Sequence, residues 1–412
     1  MSNIVQGIKK VLTGNAIAQI ISFASLPLLT KLYSPDDIGL GNVILMSSNI
    51  AAIIFTLRMD IAIFINSNEV ESIQDKIKVA LTNIFFLCLL TFLIFPLVVD
   101  EIPFDIILIW LNLTICISMY NLFTSQLNLE KKYGDFAKTR VNNTVMAVIL
   151  KLLFGYLSFG WYGFTIALII SYAFVIIHLT VNRQANLILS SLKKKVDYRD
   201  FWEKNNQFIK FNLTTSVINA FGQFLPVLLI TKTYGLKFVG VYTLVIMVMR
   251  APVNLIGESI RKVMMQDFGD KKSTMEFLSI KTTFRKFTLS LVIFSLLSFS
   301  VGGVVLQLVG EKFLDEDWLM VIPVYWLLAP WFIFLLGNIP ASCVFTIFEK
   351  HKFLFRYEVC FLMFRIASIL IPSKLGFDVY SMLTSFVVIN VLFNLGYILI
   401  SWKDINKVCK YA

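Results

Sequence analysis

Long apolar segments recur along the whole chain, and they restrict it to folds that cross a lipid bilayer. Apolar residues make up 57% of the 412 residues and charged residues only 15%, with a mean hydropathy of +0.76. This composition lies outside the range of soluble globular proteins. Since about 20 apolar residues cross a membrane as one helix, the sequence predicts an all-α integral membrane protein with about twelve transmembrane helices.

The predicted spans are separated by short polar loops. They cover residues 11–31, 38–65, 79–98, 104–126, 141–158, 161–181, 208–231, 238–260, 287–309, 318–347, 359–373 and 378–401. With a cytoplasmic N-terminus, about 28 of the 37 basic residues fall on the cytoplasmic side, as the positive-inside rule requires. Both termini are therefore predicted to be cytoplasmic.

A short motif occurs twice along the chain. The pattern Thr-Lys-x-Tyr-x5-Gly-x6-Met covers residues 30–46 and recurs 201 residues later at 231–247. Because six predicted spans separate the copies, both halves have the same orientation, as in parallel repeats. The sequence predicts two six-helix halves, residues 1–200 and 201–412, around a central cavity.

Four basic side chains lie at least five residues from either end of a predicted span, namely Arg58, Lys151, Arg250 and Arg365, together with one acid, Asp60. A cation at mid-bilayer costs about 2.5–3.5 kcal/mol on insertion scales, so such residues usually face a polar cavity and mark a transport path. Because positive charge is in excess, we predict that the four bases bind an anionic substrate.

Depth distinguishes these residues. Arg250 and Lys151 lie deepest, whereas Arg58 and Arg365 are near enough to the cytoplasmic ends to extend towards the headgroups. On a continuous helix, Arg58 and Asp60 point to opposite sides, since two residues correspond to about 200°. Asp60 is a candidate either for ion coupling or for a structural contact with another helix.

Amide side chains recur at helical spacing in corresponding spans of the two halves. They are Asn15 and Gln19 in the first span, Asn219 and Gln223 in the seventh, and Asn254 in the eighth. Such amides can bind sugar hydroxyls as a substrate site, and they can equally link one helix to another within lipid. Spacing alone leaves both alternatives open.

The segment between the halves, residues 182–207, is rich in Lys and Arg. It is predicted to be an interfacial linker that fixes topology or gathers anionic membrane lipids. The five cysteines and two histidines show no disulfide or metal spacing. No G-x-x-x-x-G-K-[ST] phosphate-binding loop occurs. The sequence therefore predicts no metal, no cofactor and no nucleic-acid partner.

Four stretches carry further motifs. They are residues 29–39 (LTKLYSPDDIG), 57–63 (LRMDIAI), 251–257 (APVNLIG) and 309–330, which runs from Val-Gly-Glu through Trp318 to Ala-Pro. Together they resemble motifs of bacterial polysaccharide flippases of the O-antigen translocase type, in the multidrug/oligosaccharidyl-lipid/polysaccharide exporter superfamily. Met59 departs from the aromatic residue usual in the second motif, and Lys262 stands where many relatives have an uncharged polar residue.

The resemblance implies a flippase of the bacterial inner membrane with alternating access and no enzymatic activity. Its substrate would be an undecaprenyl-pyrophosphate-linked glycan, an O-antigen or capsule repeat unit, moved from the cytoplasmic to the outer leaflet. Arg58 would lie on a family motif. The resemblance also implies contact with membrane lipids and with polysaccharide polymerase and chain-length machinery.

Two alternatives belong to other functional classes. A multidrug or organic-cation antiporter of the same superfamily would line its cavity with acids that attract cations, which four embedded bases and one acid disfavour. A membrane-embedded glycosyltransferase or polymerase could also hold pyrophosphate with arginines. Such an enzyme needs positioned acid or base groups, and the short outer loops offer little room for them.

Overall fold

The computed structural model describes residues 2–63, 70–98, 103–182, 186–348 and 350–411. Within them the chain forms fifteen α-helices and no strand. The helices are α1 (Ser2–Leu32), α2 (Pro35–Phe55), α3 (Met59–Ala62), α4 (Val70–Val98), α5 (Phe104–Leu129), α6 (Tyr133–Tyr156), α7 (Gly160–Val181), α8 (Asn186–Ser191), α9 (Tyr198–Phe208), α10 (Thr214–Ser273), α11 (Phe277–Phe313), α12 (Val321–Gly337), α13 (Ile339–Ile347), α14 (His351–Lys374) and α15 (Val379–Tyr411). A π turn, Ile209–Leu213, precedes α10.

Length and composition make this an all-α membrane protein, as predicted. Among the described residues, nine helical stretches are long and apolar enough to cross a bilayer. One of them, Ile209–Gly257, is 49 residues long and is broken at Gly235, where φ is 84°, so it supplies two spans. The helices that hold Lys151 and Arg365, α6 and α14, are 24 residues each and complete the predicted set of twelve.

The chain divides into two compact units, Met1–Phe224 and Leu225–Ala412. In the first unit, α1 packs against α6, α6 against α7, and α2 against α5 and α7. In the second unit, α11 packs against α12, and α15 packs against α12 and α14. The first unit includes the beginning of α10, whose Ser216 accepts a hydrogen bond from Arg58.

Small residues let helices approach closely inside the first unit. A Cβ added at Gly14 of α1 would lie 2.7 Å from the Cβ of Ala137 on α6. A Cβ at Gly41 of α2 would lie 2.5 Å from Cδ1 of Phe164 on α7. Helices in lipid associate mainly by close packing, so these glycines allow α6 and α7 to pack closely against α1 and α2. Lys151 lies on α6, and its ammonium contacts α7.

The turn between α1 and α2 contains the first of the family-like motifs, and its polar groups join three helices. Ser34 and Asp37 form a reciprocal capping box at the start of α2. The second carboxylate oxygen of Asp37 accepts a hydrogen bond of 2.8 Å from the backbone N–H of Trp161 at the start of α7. The hydroxyl of Tyr33 donates to the backbone carbonyl of Lys151 at 2.7 Å. The polar residues of this motif therefore have structural roles.

Replacing Asp37 by alanine should lower the free energy of unfolding by about 2–4 kcal/mol. The substitution removes the Asp37 side of the capping box, the acceptor for Ser34 N–H, which contributes about 1 kcal/mol, and a charged acceptor for Trp161 N–H, which contributes about 1.5–3 kcal/mol. Chemical unfolding in detergent micelles measures the change. The neighbouring Asp36 is exposed, so Asp36→Ala is the matched control and should shift stability by less than about 1 kcal/mol. Equal effects of the two substitutions would show that the Asp37 carboxylate does not stabilise the starts of α2 and α7.

The second copy of the repeated motif makes a corresponding hydrogen bond. The hydroxyl of Tyr234, 201 residues after Tyr33, donates to the carbonyl of Phe377 at 3.2 Å, between α14 and α15. In both units the motif's tyrosine thus bonds to a backbone carbonyl in or just after the fifth membrane helix of its half. This shared contact is one that a parallel repeat would produce.

Two predicted spans are interrupted. The second was predicted as one helix over 38–65, but α2 ends at Phe55 and α3 begins at Met59. Its last two residues, 64–65, lie outside the described residues. The tenth was predicted over 318–347, but it divides at Asn338, which ends α12 and precedes α13 with its Pro340 near the first turn.

Candidate functional site

The break between α2 and α3 brings Arg58 and Asp60 together. Leu57 and Arg58 have φ of 50° and 59°, a left-handed conformation that is uncommon for residues other than glycine and stores about 1–3 kcal/mol. Because the helix is not continuous here, Arg58 Nη1 lies 3.2 Å from Asp60 Oδ2. The expectation that these side chains point to opposite sides was wrong, since it assumed an unbroken helix.

Arg58 is also held on its other side. Its Nε donates to Ser216 Oγ of α10 at 2.9 Å, so the guanidinium bridges the helix break and α10. Asp60 is only 8% exposed, and its second carboxylate oxygen, Oδ1, is buried without a hydrogen-bond partner. The ion pair neutralises most of the positive charge that Arg58 would otherwise offer to a substrate.

Lys151 has an aromatic partner instead of an acidic one. It is half-buried on α6, and its Nζ lies 3.6 Å from the centroid of the Phe164 ring on α7. Phe164 in turn contacts Tyr33 edge-to-face. No side chain among the described residues accepts a hydrogen bond from this ammonium or forms an ion pair with it. The ring stabilises the cation, while its N–H donors stay available.

Arg365 on α14 is held by neutral and aromatic groups. Its Nε donates to Asn390 Oδ1 of α15 at 2.9 Å. Its Cζ lies 3.7 Å from the ring centroid of Phe361 and 5.8 Å from that of Trp331. In the part of the chain that the structure describes, no carboxylate lies within ion-pair distance of the guanidinium. Its two Nη groups therefore keep their charge and their hydrogen-bond donors.

Asn390 is itself fixed by buried amides. It is 0% exposed, and Asn394 one turn later is 3% exposed. Asn390 Nδ2 donates to the carbonyl of Phe386 at 2.7 Å, and Asn394 Nδ2 donates to the carbonyl of Asn390 at 2.6 Å. Asn338, at the break between α12 and α13, donates to Asn394 Oδ1. Sequence reasoning missed Asn390 and Asn394, although the spacing that singled out Asn15 and Gln19 would have found them.

Arg250 lies near Arg365 in the second unit. It is half-buried on α10 and interacts electrostatically with the hydroxyl of Tyr242 and with Arg365. Asn254, one turn further along α10, is exposed. Two of the four predicted cations are thus brought together, and a tyrosine hydroxyl that the sequence had not singled out accompanies them.

An acid that the sequence had not singled out lies close to Arg365 in the second unit. The predicted eleventh span began at residue 359, but α14 begins at His351, so Glu358 belongs to it. Glu358 accepts a hydrogen bond of 2.5 Å from the hydroxyl of Tyr397. It also interacts electrostatically with Arg365, about two turns along the same helix. Sequence reasoning missed it because the predicted span began at residue 359, just after Glu358 and eight residues after the start of α14.

The amide stripes of α1 and α10 differ, although both lie in the first unit. The side-chain oxygens of Asn15 and Gln19 on α1 are buried without hydrogen-bond partners, as is that of Asn143 on α6. Asn219 and Gln223 are exposed on α10. The first stripe therefore lies in contact with other helices and consists of unsatisfied acceptors, whereas the second remains accessible.

The basic linker packs against α4 on one side. Lys194 forms an ion pair of 2.8 Å with Asp75, and Lys78 donates to the carbonyl of Leu192 at 2.8 Å. Lys193 and Lys195 are exposed. Arg183 lies outside the described residues. Lipid binding by this linker stays a prediction.

No group of three or more His, Cys, Asp or Glu residues that could hold a metal occurs among the residues described.

Comparisons with known proteins show the fold. No family model and no curated protein matches the chain. Solved structures match it over almost its whole length. An inward-facing multidrug resistance MATE family transporter of the MOP superfamily has a TM-score of 0.64 at 13% identity, covering 97% of this chain and 94% of that one. A MOP superfamily transporter from Pyrococcus furiosus has a TM-score of 0.62 at 13% identity, covering 98% and 96%. An outward-facing multidrug resistance MATE family transporter has a TM-score of 0.62 at 12% identity, covering 98% and 97%. The chain thus has the fold of the MATE and MOP superfamily transporters.

Proposed function

We propose that this protein is a flippase that moves a polyprenyl-pyrophosphate-linked oligosaccharide, such as an O-antigen or capsule repeat unit, from the cytoplasmic to the outer leaflet. One observation carries the proposal. Lys151 and Arg365 are cations within membrane helices that face aromatic rings, and among the described residues no carboxylate lies at ion-pair distance from either of them. Both keep free N–H donors, which suits an anion.

The chemistry of a pyrophosphate diester matches such donors. It carries about two negative charges, and moving it through a low-dielectric path requires hydrogen bonds from charged groups. A guanidinium offers a planar fork that fits phosphate oxygens, and an ammonium acts as a point charge. The second unit offers two guanidinium groups, those of Arg365 and Arg250. The first unit offers the ammonium of Lys151.

Aromatic partners are the feature that separates these cations from structural ion pairs. Arg58 is bound to Asp60, so its charge is largely cancelled inside the protein. Phe164, Phe361 and Trp331 stabilise a cation through their ring faces without neutralising it. The positive charge therefore remains available for an incoming anion.

The runner-up function is export of organic cations, and the fold agrees with it equally well. One matching structure, the Pyrococcus furiosus transporter, is described as having a binding pocket of reverse polarity that suggests a different function. In the present chain the excess of embedded cations favours anions. Asp60 is engaged by Arg58 and Glu358 by Tyr397, so neither of these two acids is an open cation site.

The proposal includes topology and energy source. With both termini in the cytoplasm of a bacterial inner membrane, an inside-negative potential drives outward movement of two negative charges by about 4.6 kcal/mol per 100 mV. Alternating access by movement of the two halves is part of the proposal. Polysaccharide polymerase and chain-length proteins would receive the product at the outer leaflet.

Reconstitution into vesicles tests the function. A fluorescent, short-chain polyprenyl-pyrophosphate oligosaccharide is placed in the outer vesicle leaflet, and its disappearance from attack by an added, membrane-impermeant glycosidase reports translocation. We expect transport that rises with an imposed K⁺ diffusion potential of the favourable sign. The matched control is the same glycan on an uncharged polyprenyl chain, which should move at least about tenfold more slowly. Transport of ethidium with no movement of the pyrophosphate lipid would establish the cation exporter instead.

A further inference from the structure

Resting on the proposed function, we propose that Trp331 and Arg365 form a phosphate subsite in the second unit, with Asn390 as its positioning residue. The ligand is a phosphate or pyrophosphate ester, bound through its oxygens. Trp331 was not among the residues that the sequence singled out. The argument depends on which hydrogen-bonding groups around Arg365 are satisfied and which are not.

The groups left unsatisfied around Arg365 are all donors. Asn390 occupies only the Nε of the guanidinium, so both Nη groups can donate. The indole of Trp331 lies against the same guanidinium, with its ring centroid 5.8 Å from Cζ. Its Nε1–H is buried and has no hydrogen-bond partner, and the residue is 4% exposed. A buried indole N–H normally has an acceptor, and an oxyanion shared with the Nη groups supplies one.

The neutrality of Asn390 is what keeps this site positive. An aspartate at the same place would hold Nε equally well but would cancel the charge, as Asp60 does for Arg58. The Asn390 amide orients the guanidinium of Arg365 and leaves its positive charge intact. Because Asn390 is completely buried and its own Nδ2 is tied to the Phe386 carbonyl, its oxygen is presented to Arg365 in a fixed direction.

Neighbouring groups strengthen the preference for an anion. Arg250 and the hydroxyl of Tyr242 both interact electrostatically with Arg365. Tyr242 packs edge-to-face on Phe386, which packs in the same way on Trp331. Glu358, about two turns from Arg365 along α14, also interacts with it, but the Glu358 carboxylate accepts a hydrogen bond from Tyr397 of α15. The indole N–H is enclosed, so the side chain must turn to donate, and the subsite is completed when the ligand binds.

Ligand binding to the purified full chain in detergent tests the subsite. The probes are farnesyl pyrophosphate and, as the uncharged control, farnesol. Binding is measured by calorimetric titration and by the change in intrinsic tryptophan fluorescence. We expect farnesyl pyrophosphate to bind and farnesol not to bind. Trp331→Phe, which keeps a ring and removes the N–H, should weaken binding about tenfold and abolish most of the fluorescence change.

Two further variants separate a binding role from a structural one. Asn390→Asp keeps the shape of the side chain and should weaken farnesyl pyrophosphate binding by at least about tenfold, with unchanged helical content. Trp326→Phe, on the same helix as Trp331 and 37% exposed, is the matched control and should bind as the wild type does.

The outcomes are distinguishable. If farnesyl pyrophosphate binds to Trp331→Phe and Asn390→Asp as tightly as to the wild type, the subsite is wrong while anion transport stands. If the wild type binds farnesyl pyrophosphate no better than farnesol, the proposed function fails together with the subsite.

Discussion

A Lys151→Met variant should lose about 99% of its translocation of pyrophosphate-linked oligosaccharide and should at the same time become more stable. The two effects have opposite signs because the ammonium serves the substrate and not the fold. Losing a charged donor to a phosphate in a low-dielectric site costs about 2–5 kcal/mol, and about 2.7 kcal/mol already corresponds to a hundredfold loss.

The gain in stability follows from the same geometry. Lys151 is half-buried on α6 with the Phe164 ring as its partner and without a carboxylate among the described residues. Methionine has a similar length and no charge, so the substitution removes a desolvation cost of about 2.5–3.5 kcal/mol less the cation–π contribution of about 1–2 kcal/mol. We therefore expect the free energy of unfolding to rise by about 1 kcal/mol.

Lys138→Met on the same helix is the matched control. Lys138 is exposed and forms no ion pair in the described part of the chain, so its loss should change transport by less than about twofold. The vesicle assay with the pyrophosphate substrate and chemical unfolding in micelles give the two readouts. Full transport by a well-folded Lys151→Met variant would remove Lys151 from the anion path.

The second large effect concerns the ion pair at the helix break. Asp60→Asn should lower the free energy of unfolding by about 2–3 kcal/mol, because it leaves the charge of Arg58 without a partner in a partly desolvated site. The side chains of Arg58 and Asp60 are 25% and 11% exposed. The decrease in the free energy of unfolding should therefore be smaller than for a fully buried pair, where it is about 3–5 kcal/mol.

A double-mutant cycle isolates that interaction. In Arg58→Gln/Asp60→Asn both charges are gone and the side-chain shapes are nearly kept, so we expect the double variant to be more stable than Asp60→Asn alone. The coupling energy should be about 1–3 kcal/mol, obtained from chemical unfolding of the four proteins. Additive effects would show that Arg58 and Asp60 act independently.

Sequence reasoning predicts the all-α membrane architecture well, because span number and length depend on apolar content alone. It fails at residues 56–58, where α2 stops without glycine or proline. Leu57 and Arg58 adopt left-handed backbone geometry, and Arg58 bonds to Ser216, 158 residues later. Such a break depends on tertiary contacts, which the order of residue types around positions 56–58 does not reveal. The break at Asn338 was easier to predict from the sequence, since Pro340 follows it closely.

The candidate site shows the same limit. Residue type and position within a predicted span singled out Lys151 and Arg365, but most of the residues that contact them, Phe164, Trp331 and Asn390, lie further away along the chain than one turn of helix. Arg365, expected to extend towards the headgroups, is held by Asn390 and Phe361, whereas Arg58, on a family-like motif, is engaged by Asp60. The order of importance among the cations therefore changes once side-chain contacts are known.

The hydrogen bonds of Tyr33 and Tyr234 bear on the ancestry of the chain. Each joins the end of the first helix of its half to a carbonyl in or just after the fifth, although the surrounding residues differ between the two copies. If the two halves arose by gene duplication, a contact present in both copies predates that event. The ancestral half-length protein would then already have contained this connection between its first and fifth helices.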